Sequence, residues 1–357
     1  MSNTKPTIAV AMSGGVDSSV TAALLLERGY RVIGFMLRLW SEPERSAENA
    51  CCTLEATAIA RGIAEQLGIP FHLIDARTAF RQTVVQYFID EYLAGNTPNP
   101  CLLCNRAVRW GVLWEHAHAL GADLMATGHY ARLKRDPDGT VHLLRGLDAH
   151  KDQSYVLSRL TQEQLRHTIL PIGEFTKPEV RRMAVKFGLP VAQRPDSQDL
   201  CFAAGDYRAF LRRHAPESQK PGPILDLRGN EIGKHEGLAF YTIGQRRGLG
   251  IAAAEPLYVI AKDVKRNALI VGPRSALGRQ SLTAVQANWI VPPPADEFKA
   301  EVQIRYTARP IPAVVRLEGE GKFSARLETP ARDITPGQAA VIYLGEECLG
   351  SGIIAPY

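Results

Sequence analysis

The chain has 357 residues, 45% of them hydrophobic and 22% charged, with a net charge of +5. That length exceeds what one hydrophobic core usually supports, so two or three domains are expected. No apolar run approaches the roughly 20 residues of a membrane-spanning helix, and MSNTKPTIAVAMSGG enters the first strand with no room for a leader, so no membrane association and a cytoplasmic location are expected.

In chain order, Thr7 to Met12 reads as an apolar strand and the run from Val16 to Arg28 as a helix. Between them stands Ser-Gly-Gly-Val-Asp-Ser-Ser, residues 13–19. Strand, glycine turn and helix start make an anion site, because small residues let backbone N–H groups close on a phosphate and the helix terminus adds positive dipole. There is no Gly-Lys-Ser/Thr ending, so this is not the loop that grips β- and γ-phosphates through a lysine. SGGVDSS instead resembles the PP-loop of ATP pyrophosphatases, which bind the pyrophosphate of ATP and commonly attach AMP to a substrate oxygen. A strand (RVIGFML), a helix from about Thr53 to Leu67, a strand (FHLIDA) and a helix from about Thr78 to Leu93 follow. After the loop AGNTPNP come a helix from about Leu103 to Leu120 and the strand DLMATG. Repeated βα units imply an α/β fold with a parallel sheet and ligands at the carboxyl ends of its strands. SGGVDSS, residues 97–105 and Thr127-Gly128-His129 all fall at that edge.

From Tyr130 the texture changes. ARLKRDPDGTVHLLRG reads as a hairpin around Pro-Asp-Gly, and short helices lead to the polar loop QRPDSQDLCF. Short strands with Gly and Pro come next, and alternating runs such as AEVQIRY, AVVRLE and AAVIYL then read as an all-β barrel or sandwich. The expected domains are 1–205, 206–280 and 281–357. The middle one carries the charge. Between Asp206 and Gln280 there are 13 Lys/Arg and 7 Asp/Glu, a net of +6. Its clusters Arg212-Arg213, Arg246-Arg247 and Lys262 with Lys265-Arg266 suit a phosphate backbone, or simply a solvated surface.

Six cysteines fall at Cys51, Cys52, Cys101, Cys104, Cys201 and Cys348, a pattern that suggests chemistry or metal before a disulfide framework. TPNPCLLCN presents Cys101 and Cys104 where a loop enters a helix, an end that favours thiolate. The pair suits redox chemistry, a metal clamp, half of an iron–sulfur site or inert packing. Structural zinc is disfavoured, because no second CxxC or HxxxH completes it. Cys201 sits in the polar loop between acidic residues, a setting for an exposed and reactive thiol. Cys51, Cys52 and Cys348 suggest only buried packing.

SGGVDSS, TPNPCLLCN, ATGHY, LLRGLDAHKDQSYVL, DSQDLCF, GLAFYTIGQRRGLGI, RYTARP and TPGQAAVIYLGEECLGSGII resemble, in order, the bacterial tRNA-specific 2-thiouridylase family. The resemblance implies an N-terminal PP-loop domain, a small central domain and a C-terminal β-barrel. It implies ATP-dependent adenylation of O2 of the wobble uridine in the tRNAs for Lys, Glu and Gln, then sulfur transfer to give 2-thiouridine. ATP would be bound by Ala11, Met12, Ser13, Gly14, Gly15, Val16, Asp17, Ser18, Leu37 and Gly128. Of these Ser13, Gly14, Gly15 and Ser18 would hold the phosphates and Asp17 the Mg²⁺. Asn99, Pro100 and Cys101 match the stretch that meets the target base, and Lys151, Asp152, Gln153, Arg305 and Tyr306 the other tRNA contacts. An ordinary helix start would account for Asp152-Gln153 equally well.

Cys201 would carry a persulfide from a sulfur-carrier protein, and Cys104 would release the product, leaving a disulfide for an external reductant. Some family members have aspartate at the position of Cys101. Here the third thiolate opens an alternative, a [4Fe–4S] cluster held by Cys101, Cys104 and Cys201. Outside the family, a PP-loop amidoligase acting on a small metabolite, or a non-catalytic tRNA-binding protein, competes for the same motifs.

Overall fold

A computed structural model describes residues 5–42, 53–195, 200–203 and 205–357. Cys51, Cys52 and residues 196–199, which enter the expectations above, lie outside that set.

The first half builds β1 (Thr7–Ala11), α1 (Val16–Glu27), β2 (Arg31–Arg38), α2 (Leu54–Gln66) and β3 (Phe71–Asp75). Arg77–Phe80, the wider π turn Arg81–Val85 and Gln86–Leu93 then run on as one helix, α3. Pro100–Leu103, the π-type stretch Cys104–Leu113 and Trp114–Ala119 likewise form α4. β4 (Leu124–Ala126) follows, then a hairpin of β5 (Ala131–Arg135) and β6 (Val141–Arg145). The short helices α5 (Ser154–Leu157) and α6 (Gln162–Arg166), β7 (Thr168–Ile169) and α7 (Lys177–Lys186) complete this part.

β3-β2-β1-β4-β7 form a parallel sheet. The chain winds outward from β1 to β3, then returns to the other side of β1 for β4. β1 and β4 therefore flank the point where the winding reverses, and a crevice opens there at the strands' carboxyl ends. Ile8, Val10, Met36 and Ala126 pack in one core with Val20, Ala60, Ile63 and Val180 of the helices. Ala9, Phe35, Leu37 and Met125 pack in another with Phe80, Phe88, Val108 and Trp110. Burial on both faces is why these strands read as unbroken apolar runs.

α4 starts at Pro100, three residues before the start read from the sequence. Asn99 caps it by accepting a hydrogen bond from Cys101 N at 3.1 Å, and proline at the first helical position needs no partner for its missing N–H. Cys101 and Cys104 therefore stand one turn apart on the helix itself.

The middle segment has α8 (Tyr207–His214) and β8 (Gly222–Leu225), β9 (Glu231–His235), β10 (Tyr258–Asp263) and β11 (Ala268–Gly272), ordered β10-β11-β8-β9. β12 (Arg279–Trp289), β13 (Glu297–Gln303), β14 (Ile311–Leu317), β15 (Lys322–Ala331), β16 (Ala339–Leu344) and β17 (Glu347–Ile354) close a six-stranded antiparallel barrel. Closure runs through β12, which pairs with β15 along one stretch and with β17 along another.

The β5–β6 hairpin does not stay with the first sheet. It adds to the barrel, with Leu144 opposite Glu347 and Leu143 opposite Cys348. Cys348 is fully buried there, which agrees with a packing role. His142 locks the join, lying 2.5 Å from Glu347 and 2.9 Å from Asp136. The hydrogen bond to Glu347 raises its imidazole above the ordinary 6.5, and the Asp136 contact adds to that against the opposing effect of burial. A raised folded-state pKa gives stabilisation that is complete below 6.5 and is lost as pH climbs through the elevated value. Melting temperature is expected to fall over that window, and His142→Gln is expected to flatten the fall; an equally steep fall in the variant would refute the assignment.

Among the described residues no helix is long and apolar enough to cross a membrane.

Candidate active site

The loop after β1 is built by its own side chains. Ser18 Oγ accepts from Ser13 N at 3.1 Å and donates to Gly15 O at 3.2 Å, and Ser19 Oγ donates to Gly15 O at 2.8 Å. These bonds curl the turn over the start of α1, where unpaired N–H groups gather. Gly14 has φ +71°, and a Cβ there would lie 2.6 Å from Ala56 O. Gly128, just past β4, lies so close to α1 that its Cβ would stand 2.8 Å from Ser18 N. Leu37 is buried near the carboxyl end of β2. Ala11 through Ser18, Leu37 and Gly128 thus share one sheet edge, at the β1/β4 crevice. Gly128→Ala is expected to push α1 away from β4 and weaken ATP binding about tenfold or more, measured by titration calorimetry. Unchanged affinity would refute this reading.

Two cations that the sequence reading passed over reach the same loop. Lys177, buried at the start of α7, places Nζ 2.9 and 2.8 Å from the two Asp17 carboxylate oxygens. Arg194 Nη1 donates to Gly14 O at 3.0 Å. The buried Tyr130 adds its hydroxyl to Asp17 Oδ1 at 2.7 Å. TKPE is legible as a capping box, and both its bonds form. What α7 faces is not legible.

Next to Gly128, His129 is buried and neutral: burial pushes its imidazole down to about 3, with Arg109 adding to the effect. Arg109 lies 3.3 Å from Nε2 and can only donate, so the proton sits on Nδ1, 2.7 Å from Thr127 Oγ1.

The segment carrying Asn99, Pro100 and Cys101 is held from the barrel. Thr97 N donates to Pro336 O at 2.8 Å, and Gln338 Nε2 donates to Thr97 O at 2.7 Å. Cys101 is exposed and Cys104 buried. Cys201 is half-buried, less open than the sequence suggests, because Phe202 beside it is inserted among Phe80, Phe88 and Phe210, with ring centroids 5.2–5.7 Å apart. α3 supplies Phe80 and Phe88 and also packs on α4. It is therefore the shared neighbour of the two segments that bear Cys104 and Cys201.

Four residues expected at the RNA surface meet around Tyr306. Its phenol is held above the ordinary value chiefly by burial, then by Asp152 and Cys101, while a hydrogen bond with Gln153 opposes the rise. Asp152 faces inward: Oδ1 accepts from Gly146 N and Ser154 N, and Oδ2 from Ser154 Oγ, so it organises the start of α5. Lys151 is half-exposed. Arg305 turns away from Tyr306 to Thr335 Oγ1 at 2.6 Å and Ile243 O at 3.4 Å.

Three family models match the chain in succession: a tRNA methyl transferase HUP domain over residues 6–205, a tRNA methyl transferase PRC-barrel domain over 208–273 and an aminomethyltransferase β-barrel domain over 279–354. Full-length relatives are more specific. The chain named tRNA-specific 2-thiouridylase MnmA in Chloroflexus aurantiacus is 51% identical over 98% of this chain and 98% of its own length. Those of Heliobacterium modesticaldum and Geobacter metallireducens are 49% and 47% identical, covering 98% and 97% of this chain and 92% and 96% of their own.

This chain belongs to the tRNA-specific 2-thiouridylase family.

Within that family's frame the basic middle segment is narrower than its charge count suggests. Arg213 is spent on the buried Glu42 at 2.8 Å, Arg212 on Glu236 and Arg266 on Asp263. Burial pushes Lys262 down to about 7. Arg246 and Arg247 are exposed and have no carboxylate partner among the described residues. Among the described residues no group of three or more His, Cys, Asp or Glu is placed to hold a metal ion. Asp17 offers hard carboxylate oxygens beside the phosphate loop, which suits Mg²⁺ carried mainly by ATP phosphates.

Proposed function

We propose that this protein is a tRNA-uridine 2-sulfurtransferase that converts the wobble uridine of the tRNAs for Lys, Glu and Gln to 2-thiouridine. The observation that carries the reading is a family-wide match, with the SGGVDSS loop intact at the β1/β4 crevice and the cysteine-bearing segments packed on a common helix.

The uracil 2-oxygen is a poor leaving group. Attack of O2 on the α-phosphorus of ATP expels pyrophosphate and leaves AMP on that oxygen. The loop amides, Ser13 and Ser18 hold the phosphates through this step, and Asp17 would hold Mg²⁺, which neutralises phosphate charge. Cys201 carries the incoming sulfur as a persulfide, whose terminal sulfur attacks C2 and expels AMP. The Cys104 thiolate then attacks Cys201 Sγ, breaks the S–S bond, frees the thiolated base and forms a Cys104–Cys201 disulfide. A sulfur-carrier protein supplies the persulfide, and an external reductant restores the thiols. Asn99, Pro100 and Cys101 meet the base, while Lys151, Gln153, Arg305 and Tyr306 serve the RNA. Asp152 acts from behind by shaping α5.

Nucleoside mass spectrometry tests the reading directly, on tRNA incubated with the protein, ATP, Mg²⁺ and a persulfide donor. Formation of 2-thiouridine is expected; its absence with every component present would overturn the proposal. For the surface, Arg246→Glu with Arg247→Glu is expected to lower the slope of log affinity against log salt by about two. An unchanged slope would show that this pair lies outside the RNA footprint.

A further inference from the structure

Asp17, the residue assigned to Mg²⁺, is already held by two side chains in this structure. Oδ1 accepts from the Tyr130 hydroxyl at 2.7 Å and from Lys177 Nζ at 2.9 Å, and Oδ2 accepts from the same ammonium at 2.8 Å. Nζ also lies 5.8 Å from the Tyr130 ring centre. A carboxylate clamped this way has only one lone-pair position left, on Oδ2, for a small octahedral cation that is otherwise held by ATP and water. Tyr130 is buried and belongs equally to the other end of the crevice. Its N–H donates to Gln153 Oε1 at 3.0 Å, and Gln153 N donates to Tyr130 O at 2.8 Å. Gln153 in turn neighbours the half-exposed Tyr306, which is also close to Cys101. Hydrogen bonds therefore run from the phosphate loop through Tyr130 to Gln153, the neighbour of the surface expected to meet the target base.

We infer that Tyr130 is a positioning residue that ties ATP use to an occupied RNA site. With no RNA bound, Tyr130 and Lys177 together hold Asp17 in the clamped arrangement. A base seated against Tyr306 shifts Gln153. Because Gln153 grips both backbone polar groups of Tyr130, the phenol moves with it and Asp17 is released toward the phosphates. The inference rests on the adenylation reading above. It adds a role for a residue that touches neither ATP nor RNA.

The test is AMP release by the full-length protein with Mg²⁺-ATP, a persulfide donor and a reductant, with and without substrate tRNA, for the wild type and Tyr130→Phe. The substitution keeps the ring and both backbone bonds to Gln153 and removes only the hydroxyl, and a melting curve close to wild type verifies the fold. Wild-type AMP release is expected to depend strongly on tRNA. In Tyr130→Phe the ratio of turnover with tRNA to turnover without it is expected to fall about tenfold or more, the size of one hydrogen bond to a charged group, with the KM for tRNA little changed. Equal ratios in the two proteins would overturn the inference. So would a lower ratio that arises only through a higher KM for tRNA, which would make Tyr130 part of the RNA surface. A wild type that releases no AMP with tRNA would overturn the adenylation reading, and this inference with it.

Discussion

Cys201→Ser protein, supplied with ATP, Mg²⁺, tRNA and a persulfide donor, is expected to stop with AMP on the wobble uridine and to lose 2-thiouridine formation by about 10⁴-fold or more, the range seen when a nucleophile is removed. Activation precedes sulfur attack, so adenylated tRNA accumulates. Cys104→Ser is expected to lose product to the same extent but to stall one step later, with sulfur joined to both Cys201 and the base. Mass spectrometry of the protein–RNA adduct separates the two. Cys101→Ser is expected to keep measurable activity, since its thiol is exposed and takes no covalent part in the persulfide route. Metal-free protein that makes no product until iron and sulfide are added would overturn this assignment. So would a Cys101→Ser protein as dead as the other two.

The second large effect is expected at Asp17. Asp17→Asn is expected to slow adenylation by about 10²–10³-fold, the usual cost of removing one well-placed electrostatic group, while tRNA affinity stays near wild type. The structure adds a consequence that the phosphate-loop reading alone does not contain. Asparagine takes a carboxylate partner away from the buried Lys177 ammonium, so about 1–3 kcal/mol of stability is expected to go with it. Activity must therefore be measured well below the variant's melting temperature. Adding Lys177→Met to Asp17→Asn is expected to restore the melting temperature but not adenylation, because the buried ammonium is gone while the metal position is still missing. Normal adenylation by either variant would remove Asp17 from the site.

Much of the fold could be read from residues close together in the chain. The apolar runs of β1 and β2, the glycine turn at 13–15 and the helix after it are local facts, since backbone sterics and hydrogen bonding act over a few residues. The alternating strands at the C-terminus belong to the same class, and so does the Pro-Asp-Gly hairpin. Asn99 with Pro100 was a legible cap as well. α4 nevertheless starts three residues before the loop reading places it, because Pro100 serves as a first helical residue.

Where each piece came to rest was a different matter. The motif at 13–19 by itself determined a phosphate-type turn and hence the class of chemistry, and the spread of motifs along the chain determined the family. Only the tertiary structure decided that Lys177 and Tyr130, 160 and 113 positions from Asp17, close on its carboxylate. It alone decided that the β5–β6 hairpin extends the barrel, and that Arg212 and Arg213 are spent on Glu236 and Glu42 while Arg246 and Arg247 stay open. A charge count records how many cations a segment has, but not which of them find a carboxylate across an interface. That depends on which helix face is buried against which sheet edge, and packing of this kind is settled by the chain as a whole, because each contact is favourable only where distant segments meet.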